Sequence, residues 1–332
     1  MLIYYSVSIM LLVGVLLKTE WQKKYNYFSL FVLFILKAFR DFSVGTDTIN
    51  YKIYFERLSR GGIATKEIGF NFLNQLVIDS GGDMRVLMII ISLLTLVPLA
   101  YICQKYSPKP AFSLFLYYNL YIYFYSFNIS RQVMAVSIVL LGVGYLVKNK
   151  KALFCCIVLL ASTIHVTALI SLPLIFLDKI PDNKKLYISL VFGSFVIGYI
   201  FAHPILDYVA KLSGYDSYLL TREAISATST TLVMTNLFFT FVLFTSKERN
   251  LLFKLFMVYV IFMNLVDRFP FSNRLFIYFS IYQILFLAYY VLHNRLEPKI
   301  IAYLIVIIYS YVIFWRLLDL GVGEVLPYSN VL

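Results

Sequence analysis

Long apolar runs alternate with short polar stretches along the whole chain. The runs are rich in Leu, Ile, Phe and Tyr, with no polar face, which is the pattern of helices surrounded by lipid or by other helices. Several are shorter than the roughly 20 residues that usually cross a bilayer. The pattern predicts membrane helices over residues 2–17, 27–39, 86–103, 111–127, 131–147, 186–203, 231–245, 251–266, 275–292 and 299–315.

One further apolar run, residues 152–177, fits none of these lengths. As a single α-helix it would be about 39 Å long, which exceeds the roughly 30 Å core of a bilayer. A break near His165 would instead give two short helices. With two helices, the basic loops that follow the run face the cytoplasm, like the basic loops that precede it. This agrees with the excess of Lys and Arg in cytoplasmic loops of membrane proteins, whereas a single helix would place the later loops outside. We therefore expect about twelve membrane segments, with both termini outside.

The composition supports a membrane protein. The chain is 61% hydrophobic and 14% charged, too few polar residues to cover a soluble domain of this length. The predicted fold class is an all-α polytopic integral membrane protein, with residues 1–332 as one transmembrane domain. Its largest expected outer loops are 40–85 and 204–230, the first with a short helix at 67–78. The three cysteines lie in apolar runs and lack the spacing of a metal site, and no cleavable leader is expected.

The two basic residue types have opposite distributions. A net charge of +12 could indicate nucleic acid, but 14 of the 18 Lys fall on the predicted cytoplasmic side, which explains the charge by topology. Nine of the 11 Arg fall on or near the predicted outer face. Because Arg binds phosphate bidentately, they favour an anionic, phosphate-bearing ligand there; contact with lipid headgroups alone would explain about half of them. The nine are Arg40, Arg57, Arg60, Arg85, Arg131, Arg222, Arg268, Arg274 and Arg316.

The polar stretch RDFSVGTDTINY, residues 40–51, directly follows the second predicted helix. Gly45 permits a tight turn, and the neighbouring Thr and Asp side chains can bond to their own backbone. One interpretation is a capped turn before a helix that starts near Tyr51. The other is that Arg40 and Asp47 line a polar site at the outer surface of the membrane.

Two more polar clusters lie near the same predicted face. In FNISRQVMA, residues 127–135, Asn128, Arg131 and Gln132 share one side of a helix. Arg131 alone could be an interfacial charge, whereas three polar groups favour a site. In STIHVTA, residues 162–168, His165 would be costly within a membrane without a partner or a water-filled cavity.

A last cluster, DRFPFSNRLFIYF at residues 267–279, contains Arg268 and Arg274, with Tyr278 one turn after Arg274. These two arginines could also be a simple interfacial pair. The loop 204–230 adds Arg222, a weak signal by itself. All these clusters fall on or near one face under a single predicted topology, which favours a shared site.

Five short motifs follow one another over roughly residues 30–280. They are Arg40…Gly45-Thr46-Asp47-Thr48…Tyr51, Glu67-x-Gly69-Phe70, Arg131-x-x-x-Ala135, His165-x-x-Ala168 and Arg274-x-x-x-Tyr278. In this order they resemble the EpsG family of Wzy-like membrane glycosyltransferases. The resemblance implies that the protein joins repeat units of an O-antigen, capsule or exopolysaccharide, carried on undecaprenyl pyrophosphate. The reaction would take place on the outer face of the bacterial cytoplasmic membrane.

This reaction gives each candidate residue an expected role. Arginines would stabilise the charge of the departing pyrophosphate, and a base would accept the proton of the acceptor hydroxyl. The expected catalytic residues are His165 and Asp47; His165 is favoured because imidazole titrates near neutral pH. The expected pyrophosphate- or glycan-binding residues are Arg40, Arg131, Gln132, Asn128, Arg222, Arg268, Arg274 and Tyr278.

No metal or other cofactor is expected, because the arginines would neutralise the charge. The expected partners are the lipid-linked oligosaccharide, membrane lipid, a chain-length regulator and a flippase, and no nucleic acid. Two alternatives stay open: an O-antigen ligase, which uses the same donor with another acceptor, and a polysaccharide flippase. A flippase should have charges along a mid-membrane cavity and a repeat of halves, and the sequence contains neither pattern.

Overall fold

A computed structural model of the protein describes residues 1–62, 65–213, 229–269 and 272–331. Over these ranges the chain is helical and forms no strand, only two isolated bridges. The α-helices are α1 (Leu2–Leu16), α2 (Thr19–Ala38), α3 (Thr48–Ser59), α4 (Ile68–Asp79), α5 (Met84–Tyr106), α6 (Pro110–Asn119), α7 (Ile122–Asn128), α8 (Ser130–Leu141), α9 (Val143–Val147), α10 (Lys151–Ile164), α11 (Lys184–Ser213), α12 (Thr230–Thr245), α13 (Leu251–Val266), α14 (Asn273–Ser280), α15 (Gln283–Tyr290) and α16 (Ile300–Asp319). A 3₁₀ helix, Val166–Lys179, lies between α10 and α11.

The helices form a bundle with two distinct ends. At one, which we call the lysine end, Lys151 and Asp178 pair at 2.6 Å. At the other, which we call the site end, Glu67 contacts Arg131 and His165. Helices α8 and α9 run from the site end to the lysine end, and α10 returns.

The long apolar run is a helical hairpin with His165 at its tip. Helix α10 ends at Ile164, His165 is extended at φ −153° and ψ 117°, and the 3₁₀ helix follows. The Lys151–Asp178 pair joins the two free ends of the hairpin. This confirms the predicted break near His165. A 3₁₀ helix rises about 2.0 Å per residue, so its 14 residues cover about 28 Å, whereas the 14 of α10 cover about 21 Å.

The start of α1 and the segment after α16 both lie at the site end. Tyr4 donates a hydrogen bond from its hydroxyl to the Val325 carbonyl at 2.8 Å. The Asp41 amide donates to the Ser329 carbonyl at 2.9 Å, beside an isolated bridge between Arg40 and Asn330. The segment after α16 therefore packs on the turn between α2 and α3.

The helices have the length and surface of a membrane protein. In the described part of the chain, four are long and apolar enough to cross a bilayer: Met84–Tyr106, Ser130–Val147, Lys184–Phe201 and Ile300–Asp319. Shorter apolar helices pack beside them. Large side chains such as Phe192, Leu237 and Trp315 are more than half exposed along these helices. So much exposed apolar surface is suited to lipid and not to water.

Some helix boundaries differ from the predicted ones. The predicted helix 111–127 is interrupted at Tyr121, a left-handed residue at φ 67° whose hydroxyl donates to the Val322 carbonyl at 2.9 Å. The tertiary contact with the last segment of the chain holds this break, so the local pattern did not reveal it. Helix α11 continues to Ser213, so part of the predicted loop 204–230 is helical, and 214–228 lie outside the described residues. The short helix predicted at 67–78 is confirmed as Ile68–Asp79.

Candidate functional site

The centre of the site is a carboxylate with two cationic or ionisable partners. One oxygen of Glu67 accepts a hydrogen bond from Nη1 of Arg131, and the other contacts Nδ1 of His165. The three side chains are only 14%, 19% and 22% exposed, respectively. Three separate parts of the chain therefore meet at one partly buried cluster.

A close approach of two helices brings these groups together. Glu67 immediately precedes α4, and His165 ends α10. A side-chain carbon at Gly69 would lie 2.5 Å from the Thr163 hydroxyl oxygen and 2.9 Å from the Thr163 carbonyl oxygen. Only glycine fits at this crossing, and its absent side chain lets Glu67 reach His165.

Arg131 lies among aromatic rings. Its guanidinium carbon is 5.5 Å from the ring centres of Tyr51 and Tyr54 and 5.2 Å from that of Phe70. Its Nε is buried without a hydrogen-bond partner in the described structure. The rings and Glu67 hold the guanidinium in one orientation, because cations are attracted to aromatic faces.

A second set of hydrogen bonds joins α8, the 3₁₀ helix and α14. Gln132 donates to the carbonyl of Arg274 and, at 3.4 Å, to the Thr167 hydroxyl. Thr167 in turn donates to the Tyr278 hydroxyl at 3.1 Å. Since Gln132 follows Arg131, and Thr167 is two residues after His165, this set is continuous with the Glu67 cluster.

Asp47 completes the network from the turn before α3. Its carboxylate accepts a hydrogen bond from Nη2 of Arg274 at 3.0 Å, and its amide donates to the Asn128 side chain at 2.9 Å. Arg274 is 44% exposed. The structure thus collects the predicted residues Asp47, Asn128, Arg131, Gln132, His165, Arg274 and Tyr278 at one end of the bundle.

The electrostatics favour an ionised Glu67 and an available ring nitrogen on His165. Burial raises the pKa of the Glu67 carboxyl, but the hydrogen bond from His165 and the charge of Arg131 outweigh it and lower the pKa below its ordinary value. The carboxylate binds Nδ1 of His165, and Nε2 makes no hydrogen bond with any residue that the structure describes. A carboxylate on Nδ1 fixes the imidazole and leaves the Nε2 lone pair able to accept a proton.

Arg40 lies apart from this network. Its side chain donates to the backbone carbonyls of Lys37, Val44 and Phe127, and the residue is 3% exposed. Burial lowers the pKa of its guanidinium to about 10, so it stays charged at neutral pH. In this structure Arg40 holds the turn between α2 and α3 and has almost no surface for a ligand.

Of the remaining two predicted arginines, Arg268 lies within the described residues. Arg268 donates to the Tyr199 carbonyl of α11 at 2.8 Å and lies over the Tyr199 ring. Arg222 lies outside the described residues.

Sequence reasoning left two network members out of the predicted site, Glu67 and Thr167. Glu67 precedes Gly69 in one of the quoted motifs, and that spacing was its only signal. Its two partners are 64 and 98 residues away along the chain. As for metal binding, the described residues contain no group of three or more His, Cys, Asp or Glu side chains that could hold an ion.

Comparison with known proteins gives one match. No curated protein and no solved structure matches the chain. A sequence model described as the EpsG family matches residues 23–330, nearly the whole chain, and the protein therefore belongs to EpsG, a family of Wzy-like polysaccharide polymerases.

Proposed function

We propose that the protein polymerises oligosaccharide repeat units carried on undecaprenyl pyrophosphate, by glycosyl transfer at the site end. The observation that carries this proposal is the Glu67 carboxylate, which joins His165 to Arg131 beside the exposed Arg274. Attack of a hydroxyl on a glycosyl pyrophosphate requires a base to accept the proton and positive charge to stabilise the leaving group. The product would be an O-antigen, capsule or exopolysaccharide.

In the proposed reaction His165 is the general base. The acceptor hydroxyl attacks C1 of the donor sugar and gives its proton to Nε2 of His165, while the bond from C1 to the pyrophosphate oxygen breaks. Glu67 stabilises the imidazolium that forms, in the manner of the acid in a Ser-His-Asp triad. Asp47, the other candidate base, binds Arg274, so we assign it to positioning that arginine.

The departing undecaprenyl pyrophosphate keeps the bonding electron pair, and its charge needs stabilisation. Arg274 is the most exposed arginine of the network, so we propose that it binds the pyrophosphate and that Asp47 orients it. Arg131, held by Glu67 and the aromatic rings, contributes its positive charge from a fixed position. Because arginines would supply this charge, the proposed transfer needs no metal ion.

We also propose that twelve segments cross the bacterial cytoplasmic membrane, with the site end outside. The support is the hairpin at His165, whose two helices within residues 151–179 would each cross once, and the Lys-rich opposite end. Single cysteines at Ser59 and Lys185 in a Cys-free background test this. An impermeant thiol reagent on intact cells should label only position 59, and labelling of position 185 alone would invert the proposed orientation.

The function is tested with purified protein and lipid-linked repeat unit. His165→Ala should lower chain formation by at least about 100-fold, the usual contribution of a general base. His293→Ala is the matched control, since that histidine stacks on Tyr289 at the lysine end, and it should keep normal activity. Full activity of His165→Ala would refute the assignment of the base. Transfer of one unit without long chains in the wild type would favour a ligase.

A further inference from the structure

A cavity of about 240 Å³ lies on the other side of α14 from the Glu67 network. Phe276 and Ser280 of α14 line it, while Arg274 and Tyr278 of the same helix belong to the network. Residues two apart lie on opposite sides of a helix. One short helix therefore separates the cavity from the network by about the 10 Å diameter of a helix.

The cavity wall combines aromatic rings with polar groups of both kinds. Tyr125, Tyr259 and Tyr309 line it, and the Tyr125 and Tyr259 rings lie edge-on to Phe276. Such rings suit the apolar face of a sugar, and their hydroxyls can bond to it. The volume is slightly below the roughly 300–1,000 Å³ of pockets for drug-sized molecules, which suits a single sugar residue.

Two acceptors in the wall are buried. Gln283 is 2% exposed, and its Oε1 has no hydrogen-bond partner in the described structure, whereas its Nε2 donates to the Ser280 carbonyl. Asp267 is 8% exposed and accepts hydrogen bonds from the amide and hydroxyl of Ser229. An unpaired buried acceptor is costly, so a ligand that donates to Gln283 would relieve a defect of the empty cavity.

A donor faces the same space. Arg316 lines the cavity and donates from Nε to the Thr231 hydroxyl at 3.2 Å. Its Nη1 and Nη2 donate to no residue in the described ranges. The cavity thus offers donors and acceptors together, as a ligand with several hydroxyl groups requires.

We propose that this cavity binds a sugar residue of the glycan, as a subsite next to the reacting centre. Sugar hydroxyls can both donate to Gln283 and Asp267 and accept from Arg316. An ionised phosphate can only accept, so it would leave Gln283 unpaired and would be repelled by the Asp267 carboxylate. This inference rests on the proposed function, because it assigns the second sugar-binding region that a polymerase needs.

Binding is tested by calorimetry on the purified full chain. The probe is the oligosaccharide repeat unit released from its lipid carrier by mild acid, with inorganic pyrophosphate as the contrasting probe. Arg316→Gln and Gln283→Leu should each weaken oligosaccharide binding roughly 10-fold, the value of about one hydrogen bond. Arg295→Gln, the same change at an exposed position before α16, should leave it unchanged. Thermal unfolding confirms that each variant is folded.

Three results would overturn the subsite. The first is that the wild type does not bind the oligosaccharide. The second is that both cavity variants bind the oligosaccharide as well as the wild type does. The third is that the cavity variants lose binding of pyrophosphate and keep binding of the oligosaccharide. Failure of the proposed function is recognised separately, by the absence of chain formation from lipid-linked repeat units in the wild type. Unchanged oligosaccharide binding in the cavity variants, together with normal chain formation by the wild type, would refute the subsite alone.

Discussion

The two ends of the bundle use ion pairs in different ways. At the lysine end Asp178 is 46% exposed and pairs with Lys151. At the site end Glu67 is 14% exposed and has two partners, Arg131 and His165. Exposed pairs contribute little to stability, whereas a buried carboxylate is costly to desolvate and needs several partners.

Under the proposed function, this difference separates charges that set topology from charges that take part in the reaction. Lysines at the lysine end need only stay in water beside the membrane, so many arrangements would serve. The site end keeps a carboxylate, an imidazole and a guanidinium in fixed contact within a partly buried space. Such an arrangement adds little net stability, and partly buried ionisable groups with perturbed pKa values cluster at functional sites.

The largest expected effect comes from the centre of the site. Glu67→Gln keeps the shape of the side chain but removes the charge that would stabilise the imidazolium, so chain formation should fall about 100-fold or more. Asp178→Asn makes the same acid-to-amide change at the lysine end and should leave activity unchanged. Chain formation in vitro from lipid-linked repeat units measures both. Equal activities would remove the distinction between the ends.

The helix crossing beside Glu67 is the next target. Gly69→Ala places a carbon against Thr163, which should move α4 from α10 and reduce activity about 10-fold, since small displacements of catalytic groups are costly. Gly193→Ala in α11, where a side-chain carbon meets nothing within 4 Å, is the matched helical glycine. That control should keep full activity. Normal activity of Gly69→Ala would show that the close approach is dispensable.

The turn before α3 depends on another glycine. Gly45 has φ +93°, and an added carbon would lie 2.6 Å from the Phe127 carbonyl oxygen. Gly61 has φ +80° with nothing within 4 Å. Both alanine variants carry the same kind of backbone strain, and only Gly45→Ala adds the close contact with Phe127. Gly45→Ala should therefore lower the free energy of unfolding by about 1–2 kcal/mol more than Gly61→Ala. Denaturation in detergent compares them, and equal losses would mean that the contact with Phe127 is unimportant.

A smaller effect is expected on the melting temperature at acidic pH. Since the pKa of Glu67 is lowered in the fold, its ionised form stabilises the protein above the ordinary pKa of 4.5, and this contribution is lost as pH falls through the lowered value. The melting temperature of the wild type should therefore fall more between neutral pH and about pH 3 than that of Glu67→Gln. Parallel curves for the two proteins would contradict the assignment.

The smallest effect is expected at the lysine end. Lys151→Gln removes an exposed pair that closes the hairpin, so the free energy of unfolding should change by less than about 0.5 kcal/mol, with normal chain formation. Melting curves and the chain-formation assay test this together. A large loss of either would mean that the hairpin depends on its closing ion pair.

The sequence alone determined the helical class and the break at His165. Apolar runs and the placement of Lys are local properties, and every helix can be formed by hydrogen bonds within its own segment. The sequence also indicated most of the polar residues that meet at the site end, because polar side chains are conspicuous in so apolar a chain. The resemblance to EpsG added the reaction expected of them.

Only the tertiary structure showed how the surroundings of these residues differ. Arg40 and Arg274 look alike as sequence, yet Arg40 is buried against backbone carbonyls and Arg274 is exposed beside Asp47. The two partners of Glu67 lie far along the chain, and only the crossing of α4 and α10 at Gly69 brings the carboxylate to His165. Local patterns decide whether a helix forms, but the neighbours of a side chain depend on how helices cross, and that is set by packing across the whole bundle.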